Sequence, residues 1–197
     1  MRWRTYGDVG ILVELEGPQQ VVSWCAALEQ STIPAQARPG WSTVLVTSSL
    51  SNRLLVDELE TLAPEPQSSR PERSLSIDVS YTGEDLDSVA QHTGLTTREV
   101  IQLHTQVEYT VVFLGFSRGF PYLSGLDRRL WLPRRDSPRA RVPAGSVAIA
   151  ASQTGVYPQE SPGGWHLIGR TNAVLFDPNQ QPPSLVQPGD LIRFIES

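Results

Sequence analysis

An α+β domain followed by a mainly β barrel or sandwich is the fold class this sequence predicts. Strand and helix signals alternate over the first third of the chain. Ten of the sixteen prolines lie in 108–197, where apolar runs are short and separated by Gly and Pro, which argues against long helices there. Between the two regimes, 64–71 (PEPQSSRP) is polar, carries three prolines and reads as a linker. The expected domains are 1–75, a ferredoxin-like α+β domain, and 76–197, the β-rich domain.

The elements follow in order. Residues 10–16 (GILVELE) read as a short strand bounded by Gly17 and Pro18. Residues 18–30 place apolar side chains at 21, 22, 25 and 28, one helical face, with Pro18 suited to a first turn. After 33–40 comes 41–49 (WSTVLVTSS), a β-branched run typical of a strand. Residues 51–62 form an amphipathic helix capped by Ser51 or Asn52. Residues 74–81 alternate apolar and polar like an edge or half-buried strand. Two helices follow. The first, 83–92, ends at Gly94, a C-cap glycine, and the second opens on Thr96 with Glu99 three residues on, a capping box. Residues 109–116 (YTVVFLGF) make a strong apolar strand. The later runs SVAIAAS, WHLIGR, AVLFD and DLIRFIE are short and cut by turns.

Composition excludes several chemistries. The chain has 197 residues, 39% hydrophobic, enough for one core or two small ones. All 16 basic residues are arginine, so no Schiff-base lysine, lysine general base or phosphate-loop lysine is available. Cys25 is the single cysteine, which excludes an internal disulfide and a cysteine metal cluster. MRWRTYGDVG lacks the apolar run of a signal peptide, and no segment reaches the ~18 apolar residues of a membrane span. A cytoplasmic protein with neither nucleic acid nor membrane as partner is the expectation.

Charge is unevenly placed. Seven arginines (118, 128, 129, 134, 135, 139 and 141) stand against Asp127 and Asp136 in 118–141, within a chain of net charge −5. Such a stretch suits an anionic ligand or a partner surface, or else arginines paired to acids elsewhere in the fold. His92, His104 and His166 show no metal-ligand spacing. Gly115-Phe116-Ser117-Arg118-Gly119 matches the letters G-x-S-x-G and follows a strand, but Pro121 breaks the helix that a nucleophile elbow needs. Two Gly/Pro-dense stretches, 115–123 and 161–171, permit close backbone approach and anion-holding N–H groups. Arg139 and Arg141 alternate along a strand, so both can point into one cleft, where the guanidinium fork suits carboxylate or phosphate.

At these residues the chain resembles a known family. GFSRGFPYLSGLDRRLWLPRR, SPRARVPAGSVAIAASQTGVYPQESPGGWHLIGRTNAVLFDP and PPSLVQPGDLIRF are similar to the signature blocks of the allophanate hydrolase subunit 1 family. That family includes the B-type subunit of prokaryotic 5-oxoprolinase and an inhibitor of a sporulation histidine kinase, and it is related to the carboxyltransferase part of urea carboxylase. Two departures stand out: Arg118 replaces the proline of GFxPGFPYL, and Ala151-Ser152 precede Gln153 and Thr154 where the family often has GGQTG. The resemblance implies a ferredoxin-like N-terminal domain and a cyclophilin-like β-barrel. It further implies work as a subunit of an ATP-dependent 5-oxoprolinase, opening 5-oxo-L-proline to L-glutamate and inactive alone. ATP, with Mg, would be shared with partners: an allophanate hydrolase subunit 2-type protein (the C-type subunit of 5-oxoprolinase) and a third oxoprolinase subunit. The alternatives are a regulatory inhibitor of a sensor histidine kinase and a carboxyltransferase or allophanate-hydrolase-type component. Without lysine, the chain has no amidase Ser-Ser-Lys set.

The site residues expected from motif position and chemistry are these. Arg139, Arg141 and Arg170 would hold anions. Gln153, Thr154 and Tyr157 would orient substrate. Gly119, Gly163 and Gly164 would admit the backbone closely. His104 is a weak acid/base candidate, with packing as the competing role.

Overall fold

A computed structural model describes residues 2–8, 10–62, 64 and 73–197. The chain forms two compact units, Met1–Pro71 and Glu72–Ser197. The linker expected at 64–71 lies, apart from Pro64, outside the described residues. Among the described residues, no helix is long and apolar enough to cross a membrane.

The first unit runs β1 (Arg2–Thr5), β2 (Gly10–Glu14), α1 (Pro18–Gln30), β3 (Ala35–Pro39), β4 (Thr43–Ser48) and α2 (Asn52–Leu59). The four strands form one antiparallel sheet in the order β1-β2-β4-β3. Ile11, Val13, Val44 and Val46 alternate onto one face and are fully buried. α1 packs on β3 and β4 and buries Val21, Val22, Trp24 and Leu28; α2 packs on β2 through Leu55, Val56 and Leu59. Trp24 takes the helix position expected of Cys25, whose thiol is pushed up to about 11, mainly by burial. β1 and β3 carry no hydrophobic signal because they are edge strands: every β1 side chain is exposed, and β3 merely alternates half-buried with exposed.

The second unit begins with β5 (Ser74–Val79), so the two units divide just ahead of the expected boundary at 75. Then come α3 (Leu86–Thr93), α4 (Thr97–Thr105), β6 (Tyr109–Leu114), β7 (Pro121–Ser124) and a 3-10 turn (Arg128–Leu130). β8 (Arg139–Val142), β9 (Ser146–Ala150), β10 (Gln153–Val156), β11 (Ser161–Gly163), β12 (His166–Arg170) and β13 (Leu191–Glu196) complete it. The capping box at α4 is present: Glu99 N–H donates to Thr96 Oγ1 at 3.2 Å, and Thr96 N–H to Glu99 Oε2 at 2.8 Å. Gly94 closes α3 at φ 70°. The AVLFD run forms no regular strand and contributes only a bridge, Phe176 to Ser184.

Seven strands make one sheet, β12-β9-β10-β7-β6-β13-β5. Ser80, just past β5, exchanges two 2.8 Å backbone hydrogen bonds with Arg170 of β12, bringing the sheet's two edges together into a nearly closed barrel. The segment before α3 lies so close to β12 that a Cβ on Gly83 would strike the backbone of 167–169. β9 is buried on both faces. Val147 and Ile149 join the main core with Ile77, Val111, Leu123 and Phe194, and Ala148 and Ala150 join a second cluster. That second cluster holds Phe120, Tyr157, Trp165 and Leu167, with Tyr122 against it, and receives Val142 from the β8–β11 ribbon. The aromatics of the Gly/Pro-dense stretches thus fill a layer on the other face of the sheet.

Candidate functional site

Residues 115–120 form the hairpin loop between β6 and β7. Gly115 N–H donates to Phe120 O at 3.1 Å, Ser117 N–H to Gly115 O at 2.7 Å, and Phe120 N–H to Ser117 O at 3.1 Å. This tight path puts Phe116 at φ 64°, a costly conformation for a bulky side chain. The Phe116 ring is 63% exposed, yet meets Phe120 and Tyr157 edge-on at 5.6 and 6.4 Å. Gly119 sits at φ 78°, and a Cβ there would meet the Phe176 side chain at 2.7 Å. Glycine is therefore required twice over at 119.

The loop opens onto a groove of about 720 Å³, completed by Leu114, Gln159, Phe176 and Ser184. Three stretches far apart in sequence meet there. Ser117 Oγ is buried with no hydrogen-bond partner. Arg118 is exposed and makes no ion pair or side-chain hydrogen bond among the described residues. The Arg118 and Gly119 N–H groups likewise have no acceptor. A strand, not a helix, follows Gly119, and among the described residues no base touches Ser117, so the G-x-S-x-G letters do not build a nucleophile elbow. An aromatic wall beside a lone hydroxyl and a free guanidinium suits a small anionic molecule with an apolar body.

Arg139 and Arg141 sit apart from this groove's lining. Arg139 Nη2 donates to Asp85 Oδ1 at 2.8 Å and to Glu84 at 3.2 Å, while Arg135 Nη1 also donates to Asp85 Oδ1, at 2.6 Å. The other Asp85 oxygen accepts from Leu167 N–H at 2.8 Å. Burial works to raise the Asp85 pKa, but the Arg139 and Leu167 hydrogen bonds and both guanidinium charges outweigh it and hold the carboxyl below its ordinary value. Asp85 is the N-cap of α3, so this knot ties helix, β8 and β12 together. Arg141 is 82% exposed with only Glu160 at 3.6 Å, so the two arginines share no partner.

His104 is completely buried, and desolvation pushes its pKa down to about 3. Tyr81 Oη lies 2.6 Å from Nδ1, Thr154 Oγ1 lies 2.9 Å from Nε2, and Thr154 donates to Ala148 O at 3.0 Å. One assignment satisfies this chain: Tyr81 donates to Nδ1, and Nε2–H donates to Thr154. The ring also stacks on Phe194 at 4.6 Å. His104 and Thr154 are thus brought together inside the barrel, linking α4 to β10, with neither side chain exposed.

The remaining candidates divide. Gly119 lines the groove, Tyr157 lies beneath Phe116, and a Cβ on Gly163 would strike the Tyr157 hydroxyl, so these three form one neighbourhood. Gln153 is half-buried opposite Ser124 and Ala150. Gly164 tolerates a Cβ at ordinary contact with Pro138, 3.6 Å away. Arg170 is exposed, and its backbone closes the barrel. Gln159, Phe176, Ser184 and Asp85 escaped the sequence reading, since their partners are distant in the chain. Among the described residues no cluster of three or more His, Cys, Asp or Glu is placed to hold a metal ion.

Comparison with known proteins gives consistent results. The family model described as "Carboxyltransferase domain, subdomain C and D" matches residues 1–186. The B-type subunit of 5-oxoprolinase from Escherichia coli O157:H7 is 43% identical over 202 residues, covering 96% of this chain and 93% of that protein. The crystal structure of TTHA0988 superposes with a TM-score of 0.83 at 37% identity; the match covers 95% of this chain but only 39% of that longer one. The urea amidolyase of Kluyveromyces lactis, at 19% identity and a TM-score of 0.79, shares the fold, covering 99% of this chain and 15% of that one.

Proposed function

The chain belongs to the family of carboxyltransferase-domain subdomains C and D, and from that premise we propose that it acts as a subunit of an ATP-dependent 5-oxoprolinase. The observation that carries this reading is 43% identity to a B-type 5-oxoprolinase subunit, along nearly the full length of both chains. The reaction consumes 5-oxo-L-proline, ATP and water and yields L-glutamate, ADP and phosphate. An unactivated lactam resists hydrolysis. Phosphorylating its carbonyl oxygen activates the carbonyl carbon; water adds there, the C–N bond breaks as the nitrogen takes up a proton, and a second water releases phosphate from the resulting acyl phosphate to leave glutamate.

The chain's share of this work is to bind and orient. Its lack of lysine and of a metal-ligand cluster among the described residues supports placing Mg-ATP mainly on partner subunits. Those partners are a C-type oxoprolinase protein and a third oxoprolinase subunit. The barrel is read as cyclophilin-like. The first unit is read as ferredoxin-like, with β1 taking the edge that a last strand usually fills, which the order β1-β2-β4-β3 supports. Of the expected site residues, Gly119 lines the groove, Tyr157 backs its Phe116 wall, and Gly163 leaves room for the Tyr157 hydroxyl. Reconstitution with the partner subunits tests the reading. Glutamate should form only when this chain is present; formation at the same rate without it would end the proposal. Carboxyl transfer in place of glutamate formation would move the assignment to the activity that the family description names.

A further inference from the structure

We propose that Arg118 is the specificity-determining residue of the hairpin-loop groove and grips the carboxylate of a small cyclic amide acid. This rests on the oxoprolinase reading for the identity of the substrate, though not for the existence of the anion site. Four observations converge. Arg118 lines the groove and has no partner among the described residues. Beside it, Ser117 Oγ is buried in the same wall with its hydrogen-bonding capacity unused. The N–H groups of Arg118 and Gly119 have no acceptor among the described residues, in a loop with positive φ at Phe116 and Gly119. Leu114, Phe116 and Phe176 supply an apolar wall for a five-membered ring.

The chemistry assigns each contact. A guanidinium holds a carboxylate through two parallel N–H···O bonds, which a neutral analogue cannot satisfy. The Ser117 hydroxyl accepts from the lactam N–H or donates to its carbonyl. The strained Phe116 backbone persists because the loop's hydrogen bonds and the Phe120 and Tyr157 rings hold it, which keeps the groove wall in place before ligand arrives.

The experiment compares wild type with Arg118→Ala in the assembled complex and in the chain alone. In the complex, the KM for 5-oxo-L-proline should rise about 10- to 100-fold with a much smaller change in kcat, the range of one charge-assisted contact. The preference for 5-oxoproline over 2-pyrrolidinone, which lacks the carboxylate, should fall by a similar factor. In the chain alone, an NMR titration with 5-oxo-L-proline should shift the amides of 115–120 in wild type and not in the variant. An unchanged KM and unchanged preference would overturn the proposal while leaving the oxoprolinase reading intact. A complex that forms no glutamate, with Arg118-dependent binding still seen in the chain, would sink that reading and keep the anion site. No binding by the wild-type chain together with an inactive complex would overturn both. A variant that no longer co-elutes with its partner subunits, with substrate binding unchanged, would also overturn the proposal and reassign Arg118 to the contact with those partners.

Discussion

Arg135 and Arg139 share the Asp85 carboxylate, while Arg118 has no partner among the described residues and stands on a hairpin loop that holds nearby Phe116 at φ 64°. All three come from the same arginine-rich stretch of sequence. The first pair belongs to the scaffold: a 95%-buried carboxylate side chain pairs with both, Glu84 adds a second partner for Arg139, and the other Asp85 oxygen is spent on a strand N–H. Arg118 has the opposite circumstances, with solvent around it, a buried idle hydroxyl next to it and strained backbone on its flank. A concentration of one charge in a sequence therefore does not mark one site. Burial and the distance to the nearest acid decide which arginines hold the fold and which are left to meet a ligand.

The contrast is open to measurement. Asp85→Ala leaves two partly buried guanidinium groups facing each other, so it should cost about 3–5 kcal/mol in a denaturant titration. A loss under about 1 kcal/mol would mean that the arginines simply turn to water, and the scaffold side of the comparison would disappear. His104 sharpens the buried side by pH. The unfolded ring titrates near 6.5 and the folded one near 3, so as pH falls the unfolded chain takes up the proton first. Stability is complete above pH 6.5 and falls as pH drops toward 3, by about 2 kcal/mol between pH 6.5 and 5. Thermal melts across that range should show the slope in wild type and a flatter one in His104→Asn. Equal slopes would place the acid-sensitive group elsewhere. Thr96→Ala removes one arm of the capping box and should cost about 1 kcal/mol. The smallest effect belongs to Arg118→Ala, which should leave stability within about 0.5 kcal/mol of wild type. A clear loss of stability there would make Arg118 a scaffold residue too, and the comparison would collapse.

Much of the fold was legible because local rules decided it. Pro18 at a first turn, Gly94 at an αL cap and the Thr96–Glu99 box all stand where their chemistry demands. The edge strands β1 and β3 were not legible, since hydrogen bonding to β2 and β4 creates them without a hydrophobic pattern. The site was half legible. Glycine density led to the 115–119 loop, but Phe176 and Ser184 reach the groove through a fold-dependent bridge that no local spacing announces. Strand alternation also suggested a shared cleft for Arg139 and Arg141. Asp85, far away in sequence, captured only the first of them.

The position of β13 has a consequence for the order of assembly. Among the described residues β5 pairs along its length only with β13, in parallel, and β13 in turn sits against β6. During synthesis β5 emerges first in this unit and has no strand to pair with until the last strand appears. Until then its apolar residues Ile77 and Val79 face water or another chain. Such a long-range pairing is slow to form and exposes an unpaired edge while it waits. The nascent second unit is thus most open to chaperones, and to misplaced strand pairing, just before β13 slots between β6 and β5.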